Sequence, residues 1–188
     1  MEPSKRAWIW GGLNLAPGVG LVAAVPKTAK GREPRRRIVP DRRVLVLGGS
    51  LAHGLTTPLR QLASESKLAL KICAVPGARA SDAAASVGAE AEAMRPDLVL
   101  VVLEPLDVAE GASGALAQLV KALRATKAEV VWVAPLAPIA DGTSRVTRPH
   151  RSDVFPSDAL AVPRGPDGRS PTAIGYAGWA GAIWRWLG

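Results

Sequence analysis

The sequence predicts an α/β protein: a three-layer α/β/α fold around a parallel sheet of four to five strands. Three observations predict it. Short apolar runs recur along the chain, at Val44–Leu47, Leu68–Val75 (broken only by Lys71), Leu98–Leu103 and Val130–Val133. Longer stretches with apolar residues at helical spacing separate them, and strands buried on both faces and alternating with helices are the mark of a parallel sheet. Hydrophobic residues make up 48% of 188, enough for one real core and an extension.

Each element follows in order. Val44–Leu47 is the first strand and ends in Gly48-Gly49. Leu55–Glu65 is a helix, and Leu68–Val75 is the second strand. Ser81–Met94 is Ala-rich and helical, and Asp97 leads into the third strand. Ala115–Ala125 is a helix with apolar residues at helical spacing, followed by the fourth strand. Val154-Phe155 is read as the remnant of a fifth. Ala173–Leu187 closes the chain as a helix, with Ser170-Pro171 expected as its N-cap and first turn. No repeat of fixed period is visible.

Charge divides the chain unevenly. Residues 1–43 hold ten Lys and Arg against three acids, a net +7, and leave only +1 of the total +8 to the rest. The basic character thus belongs to an arm, with two readings: a solvated linker, or a contact for phosphate, anionic lipid or an acidic partner. Nucleic-acid binding is the weaker form, since the cluster is short and has no interleaved aromatics. Three segments are expected: an apolar arm at 1–25, a basic Pro/Arg-rich linker at 26–42 and the domain at 43–188. Residues 7–25 are uncharged and resemble a signal or anchor. Four glycines, Asn14 and Pro17 weaken them as a spanning helix, and the basic cluster that follows opposes export. The other reading is an arm that packs on its own domain or a neighbouring subunit. The compartment stays open, with export or anchoring tied to residues 7–25 acting as that signal. The single cysteine, Cys73, excludes an intrachain disulfide and a Cys-pair metal site, and its apolar run reads as core.

In a parallel sheet, ligands sit beyond the carboxyl ends of the strands. After the first strand stands Gly48-Gly49-Ser50-Leu51. Ser50 is either a hydroxyl presented above the sheet or a helix N-cap. After the second comes Gly77 in Val75-Pro76-Gly77-Ala78, a turn glycine whose N–H could also face the site. Glu104-Pro105-Leu106-Asp107 follows the third, with Asp107 placed to cap. Asp167-Gly168-Arg169-Ser170-Pro171 precedes the last helix, which reads Gly175-Tyr176-Ala177-Gly178-Trp179-Ala180.

These blocks, in this order over residues 43–187, resemble the SGNH/GDSL hydrolases. That resemblance implies a flavodoxin-like strand order and serine esterase or acylhydrolase chemistry without a cofactor or metal. The family pattern has G-D-S-L where this chain has GGSL, a glycine matched by Gly77, G-x-N-D where it has EPLD, and D-x-x-H-P where it has DGRSP. The resemblance makes Ser50 the nucleophile, Asp167 the acid that orients the histidine, and Ser50 and Gly77 the oxyanion donors. It also places Ser170 where the histidine belongs and Leu106 where the oxyanion asparagine belongs. The only asparagine, Asn14, is in the arm, and the two histidines are His53 and His150. His150, His53 and Glu104 are therefore the candidate substitute bases.

Two functions follow. One is a catalytically impaired SGNH-type domain used for binding or assembly, for example in a phage-like particle or a cell-envelope complex, with residues 1–43 reaching neighbouring subunits. The other is an active ester hydrolase or acyl transferase with a relocated base, taking acyl or acetyl esters of carbohydrates, lipids or cell-wall polymers.

Overall fold

The computed structural model describes residues 37–109, 114–136, 153–157 and 160–188. Five parallel strands form one sheet: β1 (Arg43–Gly48), β2 (Ala69–Ala74), β3 (Leu98–Val102), β4 (Glu129–Val133) and β5 (Asp153–Phe155). Their order is β2-β1-β3-β4-β5, the flavodoxin-like arrangement, and the order reverses at β1. Among the described residues six helices flank it: α1 (Ser50–Gly54), α2 (Thr56–Glu65), α3 (Ala84–Met94), α4 (Pro105–Ala109), α5 (Gly114–Ala125) and α6 (Ala173–Leu187).

The apolar runs become strands because both faces are covered. Val44 and Val46 of β1, Leu98 and Leu100 of β3, and Val131 and Val133 of β4 enter one core with α2 and α6. Their alternates Leu45, Leu47, Val99, Val101 and Trp132 enter the other, with Val87 of α3 and Leu119 and Leu123 of α5. This is the period-two alternation of a strand, with apolar residues at both phases. Trp179 of α6 is fully buried, and its indole N–H donates to Ser157 Oγ at 2.9 Å. Trp184 of the same helix donates to Ser66 Oγ at 3.0 Å, which ties α6 to the end of α2. At the edge, β2 is only half covered, and Lys71 pairs there with Glu90 of α3. Cys73 is half-buried against the second core, and burial pushes its thiol up.

Three boundaries differ from the sequence reading. The helix expected from Leu55 starts earlier, as the short α1, and breaks at Leu55, whose side chain is buried. Pro58 sits in the first turn of α2, where a missing N–H costs no helical bond. Residues Ala80–Ala83 form a 3-10 turn ahead of α3. The cap of α6 is Thr172, whose hydroxyl accepts the Gly175 N–H at 3.1 Å. Ser170 is not the cap because its hydroxyl is donated to Asp167.

The amino ends of the strands are closed by ions. Arg37 is 4% exposed, pairs with Glu129 and Asp153, and lies 5.0 Å over the Trp186 ring. Its backbone N–H bonds Leu187 O at 2.7 Å. Arg42 reaches Glu129 at 2.9 Å, and Arg43 reaches Asp97 at 3.1 Å. A cavity of about 850 Å³ opens at this end, lined by Arg42, Arg43, Arg95 and Lys127 among others, whereas Ser50 follows the opposite, carboxyl end of β1. Among the described residues no helix is long and apolar enough to cross a membrane. The arm through residue 36 and His150 lie outside the described residues.

Candidate active site

The carboxyl end of β1 delivers Gly48-Gly49 directly into α1, so Ser50 starts that helix and is exposed to solvent. Gly49 is the N-cap and makes no side-chain bond, so Ser50 does not cap the helix. With β2 on one side of β1 and β3 on the other, this turn lies at the reversal point of the sheet, where open α/β sheets place their ligands.

The loop after β2 folds over the serine. The Ala78 N–H bonds Val75 O at 3.0 Å and Gly77 has φ +83°, so Val75–Ala78 is a tight turn with proline second and glycine third. A positive φ at the third position is why glycine stands there. The turn aims the Gly77 N–H at Ser50 Oγ, 2.9 Å away. The serine oxygen thus accepts from a backbone amide and keeps its own hydrogen to donate.

The segment after β3 supplies a carboxylate. Glu104 Oε1 accepts the Leu51 N–H at 2.8 Å. Glu104 is itself pinned, because Asp107 in the first turn of α4 accepts the Glu104 N–H at 2.8 Å. This is one half of a capping box. Burial pushes the Glu104 carboxyl above its usual range; the Leu51 N–H opposes this and the Asp107 charge adds to it.

The loop before α6 carries Asp167, which is exposed. Its carboxylate accepts from Arg169 N–H at 2.9 Å, Ser170 N–H at 3.0 Å and the Ser170 hydroxyl at 2.8 Å. The backbone bond from Arg169, then the two from Ser170, hold it below the ordinary carboxylate range. Where the resemblance expects an imidazole, Ser170 turns back and satisfies the acid locally.

Sequence reasoning did not single out Tyr176. Its ring packs on Gly54, where a Cβ would collide with it, and stacks on Trp179 with centroids 6.3 Å apart. Gly54 is one turn beyond Ser50, so the ring lies beside the helix that Ser50 starts. Burial, then the charges of Glu104 and Asp167, push its phenol up. The Gly-Tyr pair was visible in the sequence, but nothing there paired it with Gly54.

The remaining candidates divide. Glu104 is brought to the Ser50 turn. His53 is exposed in the last turn of α1, and no described carboxylate hydrogen-bonds it. Leu106 is 56% exposed and, with Val75 at 62% and Ile174 at 76%, belongs to the segments that surround this end of the sheet. Among the described residues, no group of three or more His, Cys, Asp and Glu could hold a metal ion.

No protein-family model matches the sequence, and no curated protein matches it. Solved structures do match. TesA is similar at 16% identity with a TM-score of 0.60, covering 78% of this chain and 98% of its own. The psychrotrophic esterase EstA from Pseudoalteromonas sp. is similar at 16% identity and TM-score 0.61, covering 78% and 97%. A catalytic mutant of Axe2, an acetylxylan esterase from Geobacillus stearothermophilus, is similar at 15% identity and TM-score 0.58, covering 81% and 96%. With the strand order and the flanking helices, these likenesses give the chain an SGNH-hydrolase-like fold.

Proposed function

We propose that this chain is an SGNH-hydrolase-like protein with an impaired catalytic set, used as a binding or structural module. The observation that carries the reading is the closed Asp167–Ser170 pair. A serine hydroxyl cannot take a proton from Ser50 at neutral pH as an imidazole would, and Asp167 has no ring to orient. Loss of a triad member costs on the order of 10⁴ in turnover. Loss of an oxyanion donor, here through Leu106, costs about 10²–10³. The effects are not additive, but both lower activity. Arg37 ties the root of the arm to the amino ends of the strands, so a partner held through residues 1–43 would sit about one strand length, roughly 20 Å, from Ser50.

The alternative is an active serine ester hydrolase or acyl transferase on acyl or acetyl esters, supported by the exposed Ser50 and by the raised Glu104 carboxyl beside its turn. Ser50 would attack the acyl carbonyl, the Ser50 and Gly77 N–H groups would hold the oxyanion, and Glu104 would take the proton. The structural neighbours include acetylxylan esterases and an esterase inhibited by monoethylphosphonate.

A fluorophosphonate probe and a short-chain ester assay, run on wild type and Ser50→Ala, separate the two. The impaired reading expects folded wild type to match the variant in both. Labelling and turnover that vanish with Ser50→Ala overturn it in favour of the hydrolase.

A further inference from the structure

The end of β3 and the Ser50 turn meet at one contact. Leu51 is the second residue of α1, so its N–H has no carbonyl to bond within its own helix. The Glu104 carboxylate supplies the acceptor at 2.8 Å. Gly49 makes that approach possible: a Cβ there would stand 2.9 Å from Glu104 Oε1 and would also run into Ala78 O. The two motif positions are exchanged relative to the pattern in the resemblance. There, the acid is at position 49 and glycine at position 104; here, glycine is at 49 and the acid at 104. We infer that Glu104 is the positioning residue of the Ser50 turn, reaching across from β3 to hold the Leu51 N–H beside the space that a side chain on residue 49 would take.

The contact responds to a proton. An ionised carboxylate accepts an N–H more strongly than a neutral acid does. The groups that act on Glu104 are the Leu51 N–H of α1 and Asp107 of α4. The Glu104 charge in turn helps push up the phenol of Tyr176 in α6. Among the described residues, no cation forms an ion pair with Glu104. Protonation of Glu104 therefore loosens the turn that presents Ser50, and it does so above the pH at which an ordinary glutamate titrates.

The test reads the Leu51 amide by NMR on the full chain, so it does not depend on whether Ser50 turns over any ester. In wild type the Leu51 amide proton shift follows the ionisation of Glu104, with a midpoint above the ordinary glutamate range. In Glu104→Gln, which keeps an acceptor and loses the charge, the shift is flat across that range. In Glu104→Ala the Leu51 amide exchanges with solvent about tenfold or more faster, while the β3 amides of Leu100 and Val101 keep their protection. Glu104→Gln lies between the two. A Leu51 amide as protected in Glu104→Ala as in wild type overturns the inference. So does a wild-type Leu51 shift that fails to titrate, which decides the matter even if the alanine variant does not fold.

Discussion

The two ends of the sheet are built on opposite terms. At the amino end, charges are matched to charges. Arg37, Arg42 and Arg43 face Glu129, Asp153 and Asp97, and the buried Arg37 also lies over the Trp186 ring. At the carboxyl end, Glu104 is half-buried without an ion-pair partner among the described residues, Asp167 is answered by its own loop, and Ser50, Leu106 and Val75 face solvent. The first end stabilises the fold. The second holds polar groups in an arrangement the fold does not need. Costs of that kind collect at functional sites, which is why the tests of chemistry belong at the carboxyl end.

The sharpest way to break the contrast is to rebuild the carboxyl end. Ser170→His places an imidazole beside Asp167. Ser50-dependent fluorophosphonate labelling, expected to be absent in wild type, is then expected to appear at about 10²-fold over the Ser50→Ala background. No such labelling means that Leu106, where the resemblance expects the oxyanion asparagine, or the geometry of the loop, limits the site instead.

Breaking the amino end is expected to cost stability rather than chemistry. Arg37→Ala leaves Glu129 and the half-exposed Asp153 without their buried partner and is expected to cost about 3 kcal/mol, read from the denaturant midpoint. In the Ser170→His background, the labelling of Ser50 is expected to be unchanged by Arg37→Ala in the protein that remains folded.

The pH dependence of stability separates the ends further. Asp97 is held below its usual range by hydrogen bonds from Arg43. Burial works to raise Glu129, but hydrogen bonds from Arg37 and Arg42 outweigh it and hold it low. For both, the folded value lies below the unfolded one. Their stabilisation is present above the ordinary carboxylate range, near pH 4, and is lost as pH falls through the folded values. Thermal melts on acidification are expected to show this loss in wild type and a smaller loss in Arg37→Ala.

Glu104 has the opposite sign and the smallest effect. Its folded value lies above the unfolded one, so its ionised form costs stability once pH rises past that value. Glu104→Gln is expected to melt slightly higher than wild type at neutral pH, with the gain vanishing as pH falls through the ordinary glutamate range. A variant less stable than wild type at neutral pH shows that the charge-assisted bond to Leu51 outweighs the burial of the carboxylate.

The strands were legible because their residues are apolar at both alternating phases, which suits only strands covered on two sides. Val44 to Leu47 and Leu98 to Val102 behave in this way. The positions Ser50, Gly77, Glu104 and Asp167 were legible as the residues that follow strands or precede the last helix. The break at Leu55 was not, since it follows from burial of that side chain between two helices. Nor was the cap at Thr172: Ser170 is the better local candidate until Asp167 takes its hydroxyl.

The sequence alone carries the layer architecture, a serine and a leucine where the resemblance expects histidine and asparagine, and the concentration of basic charge before residue 44. Those depend on residue type, composition and period, which are local. Only the tertiary structure decided that Glu104 meets Leu51 across Gly49, that Tyr176 rests on Gly54, and that Arg37 is buried between Glu129, Asp153 and Trp186. Each joins residues far apart in the chain, and whether such groups meet is set by strand order and helix packing.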